Sequence, residues 1–550
     1  MNRNPARLES QTFDLLVCGG GIYGAWTAYD AVLRGLSVAL IDQGDWGSAT
    51  SSASSKLVHG GLRYLEQFEF GLVRKTLTER EMLMLVAPHR VWPLRFGVPV
   101  YANSRVGLLR LKLGLMAYDF LAVGQQTSKR HRYFNRQQLN VRFPFLKADT
   151  LKGGFTYADA QTDDARLVLE LVQGAMNAGA VCVNYCKLTD LIETGQQATG
   201  AAVYDEPADR TYTIQAKQIV NTTGPWIAVD NQRPENCLLT RGIHMVMPQL
   251  GLEEALLLTA RSDGRVFFMI PWYGLTLLGT TDTTYQGPLN RIDVDETEVD
   301  YLLNAVNDYL REPWTRNDIV GAFAGVRVLK HEATADSTES PSSVSRDWVV
   351  RTASNGVHYS IGGKLTSARQ DAAQIVDRVC EELNIDAPCT TRNRKLPWSP
   401  QELSEQVASL DSFLRWSETM QALAAELKVD PESALWLIRR HGSKVSDILK
   451  DIEQRPDLAA RIVPSLPLIQ ADLMHCAASE MVMHLDDLLR RRLPLLILAK
   501  LTETDLRRIG EEISGVMHWD ALRVQEEIAR CRPWLNLKNS VDCHKKEQTT

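Results

Sequence analysis

The chain has 550 residues, 44% of them hydrophobic, enough to bury more than one core and to divide into two or three domains. Its formal charge of −6 gives no reason to expect a nucleic-acid partner. Nine cysteines lie scattered without a Cys-x-x-Cys spacing and read as reduced thiols in a cytosolic setting; the nearest pair, Cys182 and Cys186, reads as packing rather than as a metal site.

Met1 to Phe13 is polar, and no signal peptide is expected there. The apolar run Asp14 to Cys18 predicts a strand, Gly19-Gly20-Gly21-Ile22-Tyr23-Gly24 a tight turn into a helix that closes at Arg34-Gly35, and Ser37 to Ile41 a second strand ending on Asp42. Gly19, Gly21 and Gly24 allow the bend, the close approach of backbone to a pyrophosphate and tight packing of helix on strand. The helix N-terminus faces the phosphates, and an acid about 20 residues on, here Asp42, accepts ribose hydroxyls. The pattern is that of a dinucleotide site.

The next segment, Ala49 to Leu65, is dense in hydroxyls and small residues where a nicotinamide enzyme would continue into another β-α unit. Thr50, Ser51, Ser52, Ser55, Lys56 and Leu57 are therefore expected to line an extended cofactor, FAD, along its pyrophosphate and ribityl chain. No run is long and apolar enough for a membrane-spanning helix. Ser104 to Leu121 comes partway. It carries Arg105, Arg110 and Lys112 and precedes the basic patch Lys129 to Arg132, so it fits either a bilayer interface or a buried helix.

Further along, Asp163 is placed to cap a helix through Leu167, Leu171 and Ala175, and Gln218 to Val220 reads as a strand entering the turn Asn221-Thr222-Thr223-Gly224-Pro225. Arg265 to Ile270 and Thr276 to Leu278 read as strands, and Asp336 to Ser345 as an exposed loop. From about 395 the pattern turns helical, with starts at Ser399-Pro400-Gln401-Glu402 and at Pro431, and His544 to Thr550 reads as frayed.

Thr50 to Leu65 and the Gly19 to Gly24 turn resemble the opening of the FAD-dependent glycerol-3-phosphate dehydrogenases and their oxidase relatives. The likeness continues in family order through Asp163-Asp164-Ala165-Arg166-Leu167, Asn221 to Trp226, Pro271-Trp272, Gly279-Thr280-Thr281-Asp282, Gly325-Val326-Arg327 and Gly362-Gly363-Lys364-Leu365-Thr366. Arg440-His441-Gly442-Ser443, Glu480-Met481-Val482 and Asp486 to Arg492 carry it to about residue 530. The family usually has Asn where this chain has Tyr23, Glu at Asp42, Lys-Gly-Ser-His at Arg241 to His244, Pro at Val328 and Thr-Tyr at Ser367-Ala368.

Motifs so far apart must meet one FAD, so the expected fold is α/β. A Rossmann-like FAD-binding domain from 12–75, 150–230 and 350–390 is interleaved with an α+β substrate domain from 76–149 and 231–349, and a C-terminal helical domain follows at 395–535. The resemblance places Gly224, Gly363, Lys364, Leu365 and Thr366 at the cofactor. It implies oxidation of sn-glycerol 3-phosphate to dihydroxyacetone phosphate, with electrons passed to quinone by a cytoplasmic enzyme peripheral at the inner face of the cell membrane, and it admits a homodimer.

Oxidising a secondary alcohol requires a hydride to leave carbon while a base takes the hydroxyl proton, a task that suits an imidazole. His59 and His244 qualify by position. The resemblance makes His59 the base beside the flavin and His244 a substrate contact. A phosphate needs cations with directed donors. By resemblance Arg327 and Lys364 lie nearest substrate and flavin, Lys364 also holding the charge of reduced flavin, while Arg63 and Arg346 add cations and Tyr64 either caps the pocket or joins the core. Departures at Ile243, Val328 and Ala368 leave open an oxidase or a dehydrogenase of another hydroxylated phosphate or hydroxy acid. A flavin-binding protein without turnover is the alternative of another class.

Overall fold

A computed structural model describes residues 1–122, 130–227, 237–330, 348–400 and 410–535. Arg346, Lys129, the 336–345 loop, the helix start at Gln401-Glu402 and the 544–550 tail fall outside the described residues.

Strand β1 (Thr12–Cys18) is apolar on both faces, with Phe13, Leu15, Leu16 and Val17 fully buried, as a central parallel strand requires. Helix α1 (Ile22–Leu33) crosses over to β2 (Val38–Ile41), which pairs parallel with β1. Val181–Val183 extends this sheet beyond β2; Arg210–Asn221 and His358–Ile361 extend it parallel on the other side, ending at the antiparallel edge Val349–Thr352. Helices Asp164–Asn177 and Ala368–Leu383 share a core with α1 through Trp26, Tyr29, Leu167, Leu171, Ile375 and Val376. Asp163 caps the first of these, accepting the Arg166 N–H at 3.3 Å.

A second, ten-stranded sheet runs from Thr283–Thr284 through Cys237–Met247, Leu275–Gly279, Val266–Trp272, Ala255–Thr259, Val91–Tyr101 and Leu151–Thr162 to Leu57–Val58, with Gly321–Lys330 paired on Cys237–Met247 and Arg132–Asn135 on Leu151–Thr162. Leu57–Val58 and Leu151–Thr162 therefore sit in this second sheet, although both fall within segments expected for the cofactor domain. The chain crosses between sheets at these points, and the crossing after Val58 sets His59 at the seam.

Helix α2 (Phe70–Val86) and helix α3 (Leu108–Leu121) cover this sheet near the seam. α3 buries Leu115 and Tyr118 but leaves Leu109, Leu113, Met116 and Phe120 exposed, at 73%, 58%, 51% and 76%. Their spacing of four, three and four residues puts all four on one face, opposite Leu115 and Tyr118, so the helix is half core and half surface. Among the described residues no helix is long and apolar enough to cross a membrane.

The C-terminal region is helical, with Leu410–Glu426, Pro431–His441, Val445–Gln454, Gln470–Ser479, Glu503–Met517 and Ala521–Leu535 as its longer elements. Proline opens the second of these, as the sequence predicts. Buried ion pairs tie the region to the cofactor sheet: Arg491 Nε to Asp45 at 2.5 Å, Arg492 Nη2 to Asp45 at 2.9 Å and Arg166 Nη2 to Glu480 at 2.8 Å. His441, Cys476 and Glu480 gather potential metal-ligand atoms, but Arg166 occupies the carboxylate and lies 3.8 Å from the thiol, which makes the group an ion-paired core.

Candidate active site

A cleft of about 930 Å³ opens between the two sheets. Gly19, Gly21, Asp42, Thr50 and Ser51 line it from the first; Leu57, His244, Arg265 and Arg327 line it from the second. Gly24 lies outside it and acts through packing. A Cβ there would stand 1.8 Å from the Gly19 carbonyl oxygen and 2.7 Å from Thr222 Oγ1, so only glycine lets α1 rest on the strand end. Gly19 itself has φ of +107° and sits against the Thr222 backbone, which brings the Asn221 to Pro225 turn, with Gly224, to the same cleft.

No acidic residue occupies the first turn of α1, whose N-terminus opens here, and Ser51 Oγ accepts the Ile22 N–H at 2.9 Å. Asp42 accepts the N–H groups of Gly20 at 2.6 Å and Gly44 at 2.8 Å; burial pushes its pKa up to about 6 against the pull of those two bonds. The donors of a helix N-terminus free of acid and a run of hydroxyls, with a buried carboxylate as acceptor, fit a pyrophosphate-linked dinucleotide.

Ser52 and Lys56 are not part of the lining. Lys56, held at φ of +59°, turns inward and donates to Asp164 Oδ1 at 2.5 Å and the Ser52 carbonyl at 2.6 Å. A buried carboxylate outcompetes a cofactor for this ammonium, because an unpaired charge in the core costs several kcal/mol. Ser55 Oγ stands 2.8 Å from His244 Nε2, and His244, 1% exposed, stacks on Phe323. Burial, with Arg327 and Lys56 nearby, lowers the His244 pKa well below the usual imidazole value and keeps the ring neutral.

The remaining expected residues converge on the same cleft. The His59 N–H donates to Thr366 Oγ1 at 3.2 Å, and Arg63 and Tyr64 follow on the short helix Leu62–Gln67. Lys364 Nζ lies 3.7 Å from the Tyr64 ring centroid. Arg327 donates to Thr280 Oγ1 at 2.7 Å and Asp282 Oδ1 at 3.1 Å. His59, Arg63, Tyr64, His244, Arg327, Gly363, Lys364, Leu365 and Thr366 all line one space.

Residues 14–369 match the family model described as FAD dependent oxidoreductase, and residues 389–524 the C-terminal domain of alpha-glycerophosphate oxidase. The glycerol-3-phosphate dehydrogenase of Synechocystis is 35% identical over 89% of this chain and 90% of its own, and the aerobic glycerol-3-phosphate dehydrogenase of Bacillus subtilis 36% identical over 84% of each. The X-ray structure of the glycerol-3-phosphate dehydrogenase from Bacillus halodurans complexed with FAD covers 96% of both chains at TM-score 0.76 and 28% identity. The chain belongs to the FAD-dependent glycerol-3-phosphate dehydrogenase family.

Within that family the chain's departures fall unevenly about the site. Ile243 is fully buried in the core of the second sheet and Ala368 in that of the first; neither lines the cleft, whereas Val328 does. Tyr23, another of these expected departures, donates from Oη to Asp371 Oδ2 at 2.7 Å and accepts the Lys364 N–H at 3.0 Å. It thus ties the glycine turn to the Gly363-Lys364 turn, and Gly363 must be glycine, since a Cβ would stand 1.8 Å from that hydroxyl. Arg265 is a site residue that sequence reasoning missed. It lines the cleft and donates to the Asp282 carbonyl at 3.0 Å, beside Arg327, yet nothing in Asp263-Gly264-Arg265 marks it as more than the start of a strand.

Proposed function

We propose that this FAD-dependent oxidoreductase oxidises sn-glycerol 3-phosphate at its secondary hydroxyl to dihydroxyacetone phosphate. The observation that carries the reading is the meeting of His59 with Arg63, Arg265, Arg327 and Lys364 around one cleft. A base and four cations lining one cleft suit an alcohol joined to a phosphate dianion. Relatives named glycerol-3-phosphate dehydrogenase support it. FAD, when bound, supplies the hydride acceptor.

His59 takes the hydroxyl proton, its main chain anchored on Thr366. Arg327 and Arg63 hold the phosphate, and Tyr64, 7% exposed and packed in the core, presents its ring to Lys364 at the cleft wall. His244, kept neutral and made a weak base by burial, hydrogen-bonds Ser55 at the cleft. Arg346 joins the phosphate set on family resemblance.

The reading extends to place and electron acceptor. The exposed apolar face of α3, flanked by Arg105, Arg110 and Lys112, suits the inner face of a cell membrane, where quinone would take the electrons. To test the chemistry, the purified flavoprotein is mixed anaerobically with glycerol 3-phosphate, glycerol or lactate and its visible flavin band followed. Fast bleaching by the phosphate ester alone is expected; faster bleaching by a hydroxy acid would overturn the substrate assignment.

A further inference from the structure

Behind His59, outside the cleft lining, lies a fully buried cluster of Asp159, Arg80 and Tyr118. It converges from three elements: the strand Leu151–Thr162, α2 and α3. Asp159 Oδ1 accepts the Gly60 N–H at 3.0 Å, Arg80 Nη1 at 2.7 Å and Tyr118 Oη at 3.0 Å, and the same hydroxyl lies 2.9 Å from Oδ2. The Gly60 carbonyl in turn accepts Thr76 Oγ1 from α2 at 2.9 Å. With His59 N–H on Thr366, the peptide on each side of His59 is fixed by a different element.

Two features show that this close approach is built in. A Cβ on Gly60 would lie 2.3 Å from Tyr118 Oη and 2.5 Å from Leu77 Cδ2, so only glycine brings the amide to the carboxylate. Burial and Asp159 hold the Tyr118 pKa well above the ordinary phenol value, so its hydroxyl stays a donor at any working pH. A buried ion pair is weak as a stability device, because desolvation offsets most of its Coulomb energy; what it supplies here is a fixed acceptor position.

We propose that Asp159, itself oriented by Arg80 and Tyr118, is the positioning residue that sets the His59-Gly60 segment for proton abstraction. The inference rests on the reading of His59 as base. Imidazole orientation follows its backbone, and a small displacement of a catalytic group can cost orders of magnitude in rate. Tyr118→Phe removes one donor and leaves the ion pair; Asp159→Asn keeps Oδ1 as an acceptor but removes the charge that fixes Arg80 and puts an NH2 against the Tyr118 hydroxyl, which loosens the hold on the Gly60 N–H.

The test uses the FAD-loaded enzyme and four measurements on Tyr118→Phe and Asp159→Asn: flavin content, KM for glycerol 3-phosphate, the anaerobic flavin-reduction rate against pH, and hydrogen exchange of the 57–65 peptide. The expected result is full flavin, KM within twofold of wild type, reduction slowed roughly 10-fold or more in Asp159→Asn and less in Tyr118→Phe, and faster exchange confined to the 57–65 peptide. In a His59→Asn background the same substitutions should add nothing further, since they act through that side chain. Equal slowing in both backgrounds, or unchanged exchange at 57–65, would overturn the proposal. If His59→Asn alone reduces flavin at the wild-type rate, the reading of the base fails instead, and exchange at 57–65 still decides whether Asp159 holds the segment.

Discussion

Replacing Gly24 by alanine adds one methyl group where the structure has no room for it. The new Cβ would stand 1.8 Å from the Gly19 carbonyl oxygen, a backbone atom at the end of β1, and 2.7 Å from Thr222 Oγ1, which itself hydrogen-bonds to that oxygen at 2.8 Å. No rotamer relieves a clash with backbone, so α1 must move away from the turn by more than an ångström. Overpacking of this kind costs about 1–3 kcal/mol. If the upper figure falls on the cofactor-bound state, FAD binds roughly 100-fold more weakly. Gly21→Ala should strain the fold less, since its Cβ meets only Ser51 Oγ at 3.0 Å, but should still weaken FAD, because that Cβ would stand where the backbone approaches the pyrophosphate; Gly114→Ala on α3, with no atom within 4 Å, should be neutral. FAD titration into deflavinated protein, read by flavin fluorescence, gives the three affinities. A Gly24→Ala protein that binds FAD as well as Gly114→Ala does would refute the argument that this glycine sets the geometry of the phosphate site.

Arg327→Ala should lower kcat/KM for glycerol 3-phosphate roughly 10- to 100-fold, the worth of a charge-assisted hydrogen bond, and should affect glycerol much less; equal losses would assign the residue to structure or flavin. Asp42 should make FAD retention depend on pH. Its pKa is raised to about 6 in the folded chain, so its contribution to stability is fullest below about pH 4 and is lost as pH rises through 6, while the hydroxyl-accepting carboxylate is the form present above 6. Flavin release on dialysis should therefore increase between pH 7.5 and 5, and a pH dependence that persists in Asp42→Asn would assign it to another group. Changing Leu109, Leu113 and Met116 together to Glu should release the enzyme from anionic vesicles with substrate reduction of flavin intact. Loss of flavin would show the helix to be structural, and a dimer that falls to monomer would show a protein interface.

The features written into one short stretch of chain were legible in advance: the glycine turn with its flanking strands, the Asp163 cap, the Asn221 to Pro225 turn and the helix opened by Pro431. Each depends on neighbours a few residues away, where backbone preference and periodicity act directly. What sequence could not show were the partners chosen across the fold. Lys56 reads as a cofactor ligand from its motif, yet its ammonium is captured by Asp164, 108 positions on. Ile243 and Ala368 look like pocket changes because one adjoins His244 and the other stands two residues past Thr366, but both side chains point into cores. Arg265, Arg80, Tyr118 and Asp159 carry no motif, and only tertiary packing brings them to the cleft or to Gly60.

The ion pairs that join the C-terminal helices to the cofactor sheet set a rule for how this chain can be cut or recombined. Asp45 lies in the loop just after Asp42, and its carboxylate is neutralised from the far end of the sequence, by Arg491 and Arg492. Arg166 is matched in the same way by Glu480. Truncation near residue 395 would strand Asp45 and Arg166 as uncompensated charges beneath a freshly exposed apolar surface, so the shortened product should be insoluble rather than a minimal flavoenzyme. A chimera with a relative would have to inherit Asp45 with its two arginines, and Arg166 with its glutamate, as matched sets. The helical region is thus the other half of a charge ledger opened beside the nucleotide loop.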